Sequence, residues 1–114
     1  MNDRRIQLVA FLTVLMTFLW LVGHFWWTCD DAFISFRYVK HLTRGDGLIF
    51  NPGEAPPVEG FSNLLWILLL SLPYSFGISL PVAANVLSAL AGVVLIGLVA
   101  RFAVVRLESG LAGA

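Results

Sequence analysis

The chain has 114 residues, 59% of them hydrophobic and 12% charged, with a net charge of zero. Soluble domains carry roughly 25% charged residues, and a soluble chain this short has no core large enough to hide so much apolar surface. Lipid is the natural solvent for that surface, and the neutral balance makes no electrostatic case for nucleic acid as a partner. The single cysteine, Cys29, excludes an internal disulfide, and no CxxC, HExxH, P-loop or GxGxxG pattern occurs.

Residues 1–5 read as a cytoplasmic N-terminus carrying Arg4 and Arg5. From Ile6 to Trp27 no residue is charged over 22 positions, where a bilayer core needs about 20 in a helix. Trp26 and Trp27 close this stretch, and indoles favour the headgroup zone. The stretch is too long for a signal-peptide core and no small-x-small cleavage site comes after it. The expectation is an uncleaved transmembrane helix over 6–27.

Residues 28–60 are a polar loop. Positions 31–44 suit a helix, with Asp30 as a candidate cap at its start and Gly45 just past its end. Gly45-Asp46-Gly47 is a turn signal, and Leu48-Ile49-Phe50 a short extended run. Asn51-Pro52-Gly53 fits a type II turn, with proline second and glycine third. Pro56-Pro57 stiffens the approach to the next helix.

From Gly60 to Ala100 there are 41 residues without a charge. Ser62 is a candidate N-cap for a short helix that Pro73 and Gly77 interrupt, within a segment 61–77. At about 1.5 Å per residue this helix covers half a bilayer. Pro81 opens a second transmembrane helix over 81–105, with a cytoplasmic tail, 106–114, after it. With the N-terminus inside, a crossing short helix leaves two of the seven basic residues inside and five outside. An interfacial one leaves four inside and three outside, which the positive-inside rule prefers. Three spans with the N-terminus outside put five inside, but Arg4 and Arg5 at the first span weigh against that orientation. The fold class expected is therefore all-α integral membrane: two transmembrane helices flanking an extracytoplasmic loop with two juxtamembrane helices.

Asp30-Asp31 stands at the mouth of the first span. A carboxylate there is only partly hydrated, which suits one of the pair to work as a base; the plainer reading is a helix cap and a polar stop for the span. In the 31–44 helix Arg37, Lys40, His41 and Arg44 fall within a stripe about 100° wide, with Asp30 one heptad before Arg37. Ile34, Tyr38, Leu42, Val39, Ala32 and Phe36 fill most of the rest. The helix is amphipathic and suits a membrane surface. Its basic stripe reads either as attraction to anionic headgroups or as a cradle for a lipid-linked phosphate. His24 within the first span reads as a packing residue. Ala84, Ser88 and Gly92 form a small-residue strip of the kind that packs helices.

The run DDAFISFRYVKHLTRGDGLIFNPGE at 30–54, together with VEGFSNLLW at 58–66, resembles the N-terminal region of bacterial GT-C glycosyltransferases. The arabinofuranosyltransferase-like proteins related to the mycobacterial terminal arabinofuranosyltransferases are the nearest in pattern. Theirs is an acidic pair, then aromatic and small residues with an arginine, then G-x-G-L-x-F-N-x-G-E and V-E-G-[FY]-[ST]-N-x-L-W. Ala55-Pro56-Pro57 is a modest insertion against it.

The resemblance implies a polytopic fold in the bacterial inner membrane, with its acidic motif in the first extracytoplasmic loop. It implies a sugar donor on a polyprenyl phosphate, arabinofuranose being one candidate sugar, and a glycan or lipid hydroxyl of the cell envelope as acceptor. Carried over by position, Asp30 is the catalytic base and Asp31 positions the acceptor or a divalent cation (Mg²⁺ or Mn²⁺), a need that varies across the family. Arg37 and, secondarily, Lys40 face the donor phosphate; Glu59 and Asn63 match positions of undefined role. Family members are several times longer, so the expectation is that this chain alone is an incomplete, inactive enzyme whose partners include the C-terminal helices of a parent protein. The competing expectation is a small non-catalytic membrane protein that acts through helix–helix contacts. A transporter fragment is a third reading, for which only His24 offers an ionisable group within a span.

Overall fold

The computed structural model describes residues 3–53, 56 and 60–111. Among them four helices occur in order: α1 Asp3–His24, α2 Ala32–Arg44, α3 Leu64–Ser75 and α4 Leu80–Leu111. Contacts divide the chain into two compact units, Met1–Trp26 with Leu87–Ala114, and Trp27–Val86.

The first unit is α1 and most of α4. Two stretches are long and apolar enough to cross a membrane, Arg4–His24 with 21 residues and Leu80–Arg106 with 27. Their rise of about 1.5 Å per residue exceeds the hydrocarbon thickness in each case. Both are apolar on every side, unlike a surface helix of a soluble protein. On α1 the half-buried residues Gln7, Phe11, Leu15, Phe18 and Val22 recur every three or four positions, the spacing of one helix face. Phe18 sits where a side chain on Gly92 would otherwise stand. The small-residue strip is thus partly engaged within the chain: Gly92 seats Phe18, Ala84 is buried in the second unit, and Ser88 is exposed.

The first helix ends earlier than the uncharged run that predicts it. Phe25 N–H bonds to Leu21 O, and the helix stops there, leaving Trp26 and Trp27 outside and exposed. Aromatic and β-branched residues, as in Phe25-Trp26-Trp27-Thr28, are weak helix formers. His24 stacks on Trp20 at 5.2 Å and meets Phe25 edge-on at 4.9 Å. At the other end α4 runs on to Leu111, six residues past the expected limit of 105.

In the second unit α2 lies against α3. Phe36, Tyr38 and Val39 of α2, Ile67 and Leu70 of α3, and Leu80, Ala83 and Ala84 at the start of α4 form its core. Each of the two shorter helices ends in a reversed turn. At α2, Asp46 N–H bonds to His41 O and Gly45 N–H to Leu42 O; at α3, Ile78 N–H bonds to Pro73 O and Gly77 N–H to Tyr74 O. This pairing satisfies the last carbonyls and needs a left-handed residue, supplied by Gly45 at φ 89° and Gly77 at φ 86°.

Three local expectations are corrected. Ser62 does not cap α3; Asn63 holds that position, and without a side-chain cap bond. Pro73 does not end α3 but lies inside its last turn, where only one helical hydrogen bond is lost and the reversed turn reuses the proline's own carbonyl. Leu48-Ile49-Phe50, expected as a short extended run, is interrupted by bends at Leu48 and Phe50. Gly53, with φ 89°, takes the conformation expected at the third position of the Asn51-Pro52-Gly53 turn.

Tyr38 is the centre of this unit. Its ring is fully buried, 4.8 Å from Phe61 and 5.7 Å from Phe50, and its hydroxyl accepts the Gly60 N–H at 2.9 Å. Tyr38→Phe keeps the ring and removes that acceptor. Unfolding in detergent micelles should show a loss of about 1 kcal/mol; an unchanged midpoint would mean the hydroxyl contributes nothing to the fold.

Candidate functional site

The site begins where α1 has ended. Backbone bonds from Ala32 N to Cys29 O, Phe33 N to Asp30 O and Ile34 N to Asp31 O wind the chain into α2 through a tight turn. Asp31 takes the flanking position with φ −62° and ψ −26°, already helical, and makes no side-chain cap bond. A capping side chain needs an extended backbone to reach the free N–H groups behind it. Asp30 therefore does not serve as the cap, Asp31 occupies the place without performing it, and both residues are exposed. The plainer reading of the pair, a helix cap, has no hydrogen bond to support it.

The exposed face of α2 carries the cations, and they are not equivalent. Arg37 is tied down: Nε donates to Phe50 O and Nη2 to Asn51 Oδ1, each at 2.8 Å, while the guanidinium lies 4.5 Å over the Phe50 ring. It fastens the loop after α2 to the helix. The Lys40 ammonium and Arg44 guanidinium have no hydrogen-bonding or ionic partner among the described residues. His41, next to them in sequence, is buried, and its Nδ1 stands 3.2 Å from Asp46 Oδ2.

Phe33, Phe36, Arg37, Lys40, His41 and Arg44 line an open depression of ≈ 450 Å³. Cationic and aromatic side chains both line it, and the rings of Phe33 and Phe36 meet edge-to-face at 5.2 Å. Such a surface accepts an anion beside an apolar or ring-shaped group. Asn63 has a task of its own: its side-chain amide donates to Ser35 Oγ at 2.8 Å, joining the start of α3 to the middle of α2. Glu59 lies outside the described residues.

Among the described residues no group of three or more His, Cys, Asp or Glu gathers. Asp30 and Asp31 supply hard oxygen donors, and Mg²⁺ is often held by only one or two carboxylates with water and substrate phosphate completing its shell. The pair fits a cation of that kind and falls short of a closed protein cage.

Two parts of the site carry no clear signal in the sequence. Asp46 is visible there only as a turn residue, although its spacing of five from His41 places it beside the end of the helix. The loop groups that occupy Arg37 are a backbone carbonyl and an amide thirteen and fourteen residues away, and no local pattern marks them. No family model, curated protein or solved structure matches the chain.

Arg37→Lys retains the charge and loses the planar two-nitrogen fork. Hydrogen exchange should then speed up at residues 48–51 while α1 and α4 keep their protection. Unchanged exchange in that loop would show that the arginine does not hold it.

Proposed function

We propose that this chain is the N-terminal part of a bacterial inner-membrane GT-C glycosyltransferase, which moves a sugar from a polyprenyl phosphate to a hydroxyl of a cell-envelope glycan or lipid. The observation that carries the reading is the exposed, uncapped Asp30-Asp31 pair at the head of a helix whose outer face offers Lys40 and Arg44 over aromatic walls. The motif resemblance across 30–66 supports it. So does the fold: two apolar helices long enough to span, joined through a polar segment and a 12-residue apolar helix too short to cross. In this reading α1 and α4 cross the bilayer, residues 28–60 face outward, and the chain acts together with further helices of a parent protein.

The chemistry is set by the residue types. The Asp30 carboxylate takes the proton of the acceptor hydroxyl as the oxygen attacks the anomeric carbon. The bond from that carbon to the phosphate oxygen breaks, its electron pair stays on the phosphate, and the sugar is transferred with inversion. Asp31 orients the acceptor. Lys40 and Arg44 offset the charge that grows on the departing phosphate. Arg37 holds the loop at 50–51 against the same helix, so its contribution to the phosphate is through the shape of the site and the charge it retains there.

The alternative is a non-catalytic membrane protein that works by helix contacts. The observation favouring it is the outer face of α3, where Leu64, Leu65, Leu68, Leu69, Leu72 and Phe76 are exposed. An interfacial helix bordering lipid accounts for the same face.

Two experiments test the proposal. Cys29 is exposed and is the chain's single cysteine, so a membrane-impermeant maleimide should label it on intact cells. Labelling that appears only after permeabilisation reverses the assigned orientation. In the full-length protein, Asp30→Asn should lower sugar transfer by about 10²–10⁴-fold, the usual contribution of a general base, with membrane insertion intact. Transfer near the wild-type rate would remove Asp30 from the catalytic role.

A further inference from the structure

His41 is a buried titratable group with no part in the chemistry above. It sits in the last turn of α2 with its side chain 10% exposed and Nδ1 3.2 Å from Asp46 Oδ2. An ionised carboxylate only accepts hydrogen bonds, so Nδ1 carries the proton and donates it to Asp46. That leaves Nε2 as the free end of the ring. Among the described residues Nε2 has no partner, and no buried side-chain nitrogen or oxygen lacks one, so Nε2 reaches solvent. The ring lines the same depression as Lys40 and Arg44.

We infer that His41, oriented by Asp46, is a proton-controlled donor to a phosphodiester anion held by Lys40 and Arg44. The inference rests on the reading of this face as the donor-phosphate site and adds the residue that makes binding there depend on pH. When the ring is neutral, Nε2 presents a lone pair, which repels an anionic oxygen. When it takes up a proton, Nε2 becomes a charged donor. The contact with Asp46 engages the other ring nitrogen and orients Nε2.

The surrounding charges leave this switch to His41. Arg37, Lys40 and Arg44 line the same depression. Asp46 is the one carboxylate against the ring among the described residues, and Asp30 and Asp31 belong to the far end of the helix. The packed elements add little: α3 carries Tyr74 as its one titratable side chain, and residues 47–53 and 80–86 carry none. A phosphodiester keeps a single negative charge over the same range, so any pH dependence reports the protein.

Both a lipid-linked sugar and an anionic bilayer lipid present this group, and two arms separate them. In the first, the full chain in phosphatidylcholine nanodiscs is titrated with citronellyl phosphoglucose. In the second, the discs contain phosphatidylglycerol and no probe is added. The ¹⁵N resonances of the His41 ring are tracked in both, assigned against His24 by the His41→Gln spectrum.

In the first arm the probe should bind at least about fivefold more tightly at about pH 5.5 than at about pH 8, with Nε2 gaining a proton as it binds. His41→Gln should flatten that ratio, and Asp46→Asn should reduce it. A response confined to the first arm assigns the site to a lipid-linked sugar; a response in the second arm assigns it to the bilayer's own lipid. Probe affinity independent of pH, or a His41 ring that responds in neither arm, overturns the inference in the wild-type protein, whatever the variants do. Loss of transfer in Asp30→Asn beside pH-independent binding would leave the enzyme reading standing and this inference alone refuted. Absence of sugar transfer by the full-length protein beside pH-dependent binding would refute the enzyme reading alone, and unchanged transfer in Asp30→Asn would remove only the catalytic role of that residue.

Discussion

A buried tyrosine ring can be packed by any apolar neighbour, but its hydroxyl must find a polar partner or lose a hydrogen bond to water without replacement. Much of the second unit depends on that constraint at Tyr38. The partner is the backbone N–H of Gly60, twenty-two residues away. A side chain at position 60 would collide with the same oxygen, so glycine is what lets the backbone come this close. Once Gly60 is held, Phe61 lies against the ring and Asn63 reaches Ser35. The start of α3 is thereby set on α2, and Ile67 and Leu70 complete the buried seam.

Arg37 works on the opposite side of the same residue pair. Positions 37 and 38 are neighbours on a helix and point about 100° apart; one stays at the surface and the other is buried. Both reach the loop between α2 and α3, Arg37 through Phe50 and Asn51 and Tyr38 through Phe50 and Gly60. The aromatic ring of Phe50 lies between guanidinium and phenol and is shared by both. This division of labour has a functional side. An arginine engaged in holding its own loop has fewer donors to give a ligand, and the free cations on the face are displaced towards the C-terminal end of α2, where Lys40 and Arg44 stand.

Among the described residues α1, α3 and α4 expose apolar side chains along their lengths, and α1 and α4 are long and apolar enough to cross a membrane. Leu65 and Leu72 on α3 and Phe76 just after it are each at least 66% exposed, and such side chains lose roughly 25 cal/mol for every Å² left in water. Asp3, Arg4 and Arg5 stand in the first turn of α1, Arg101, Arg106 and Glu108 in the last third of α4, and the other charges in the described residues lie in α2 and the turns beside it. Asp30 and Asp31 stand in the sequence between the apolar α1 and the amphipathic α2.

The amino-acid sequence by itself determined the two long apolar helices, the amphipathic helix between them and its left-handed stop at Gly45. These arise from composition, 3.6-residue periodicity and the conformational freedom of one glycine, all of which act over a few residues. It also singled out Asp30, Asp31 and the basic stripe as candidate chemistry-bearing positions. It misled at the caps, since a carboxylate or hydroxyl at the right place serves as a cap only if the backbone there is extended, and Asp31 is helical. Tertiary structure alone decided which cation is free and which is spent. That choice depends on a carbonyl and an amide that return to Arg37 from a loop thirteen and fourteen residues later. It likewise decided that Gly92 receives Phe18 and that Asp46 turns back onto His41. Helical periodicity states which face a residue occupies; it carries no information about what the rest of the chain brings to that face.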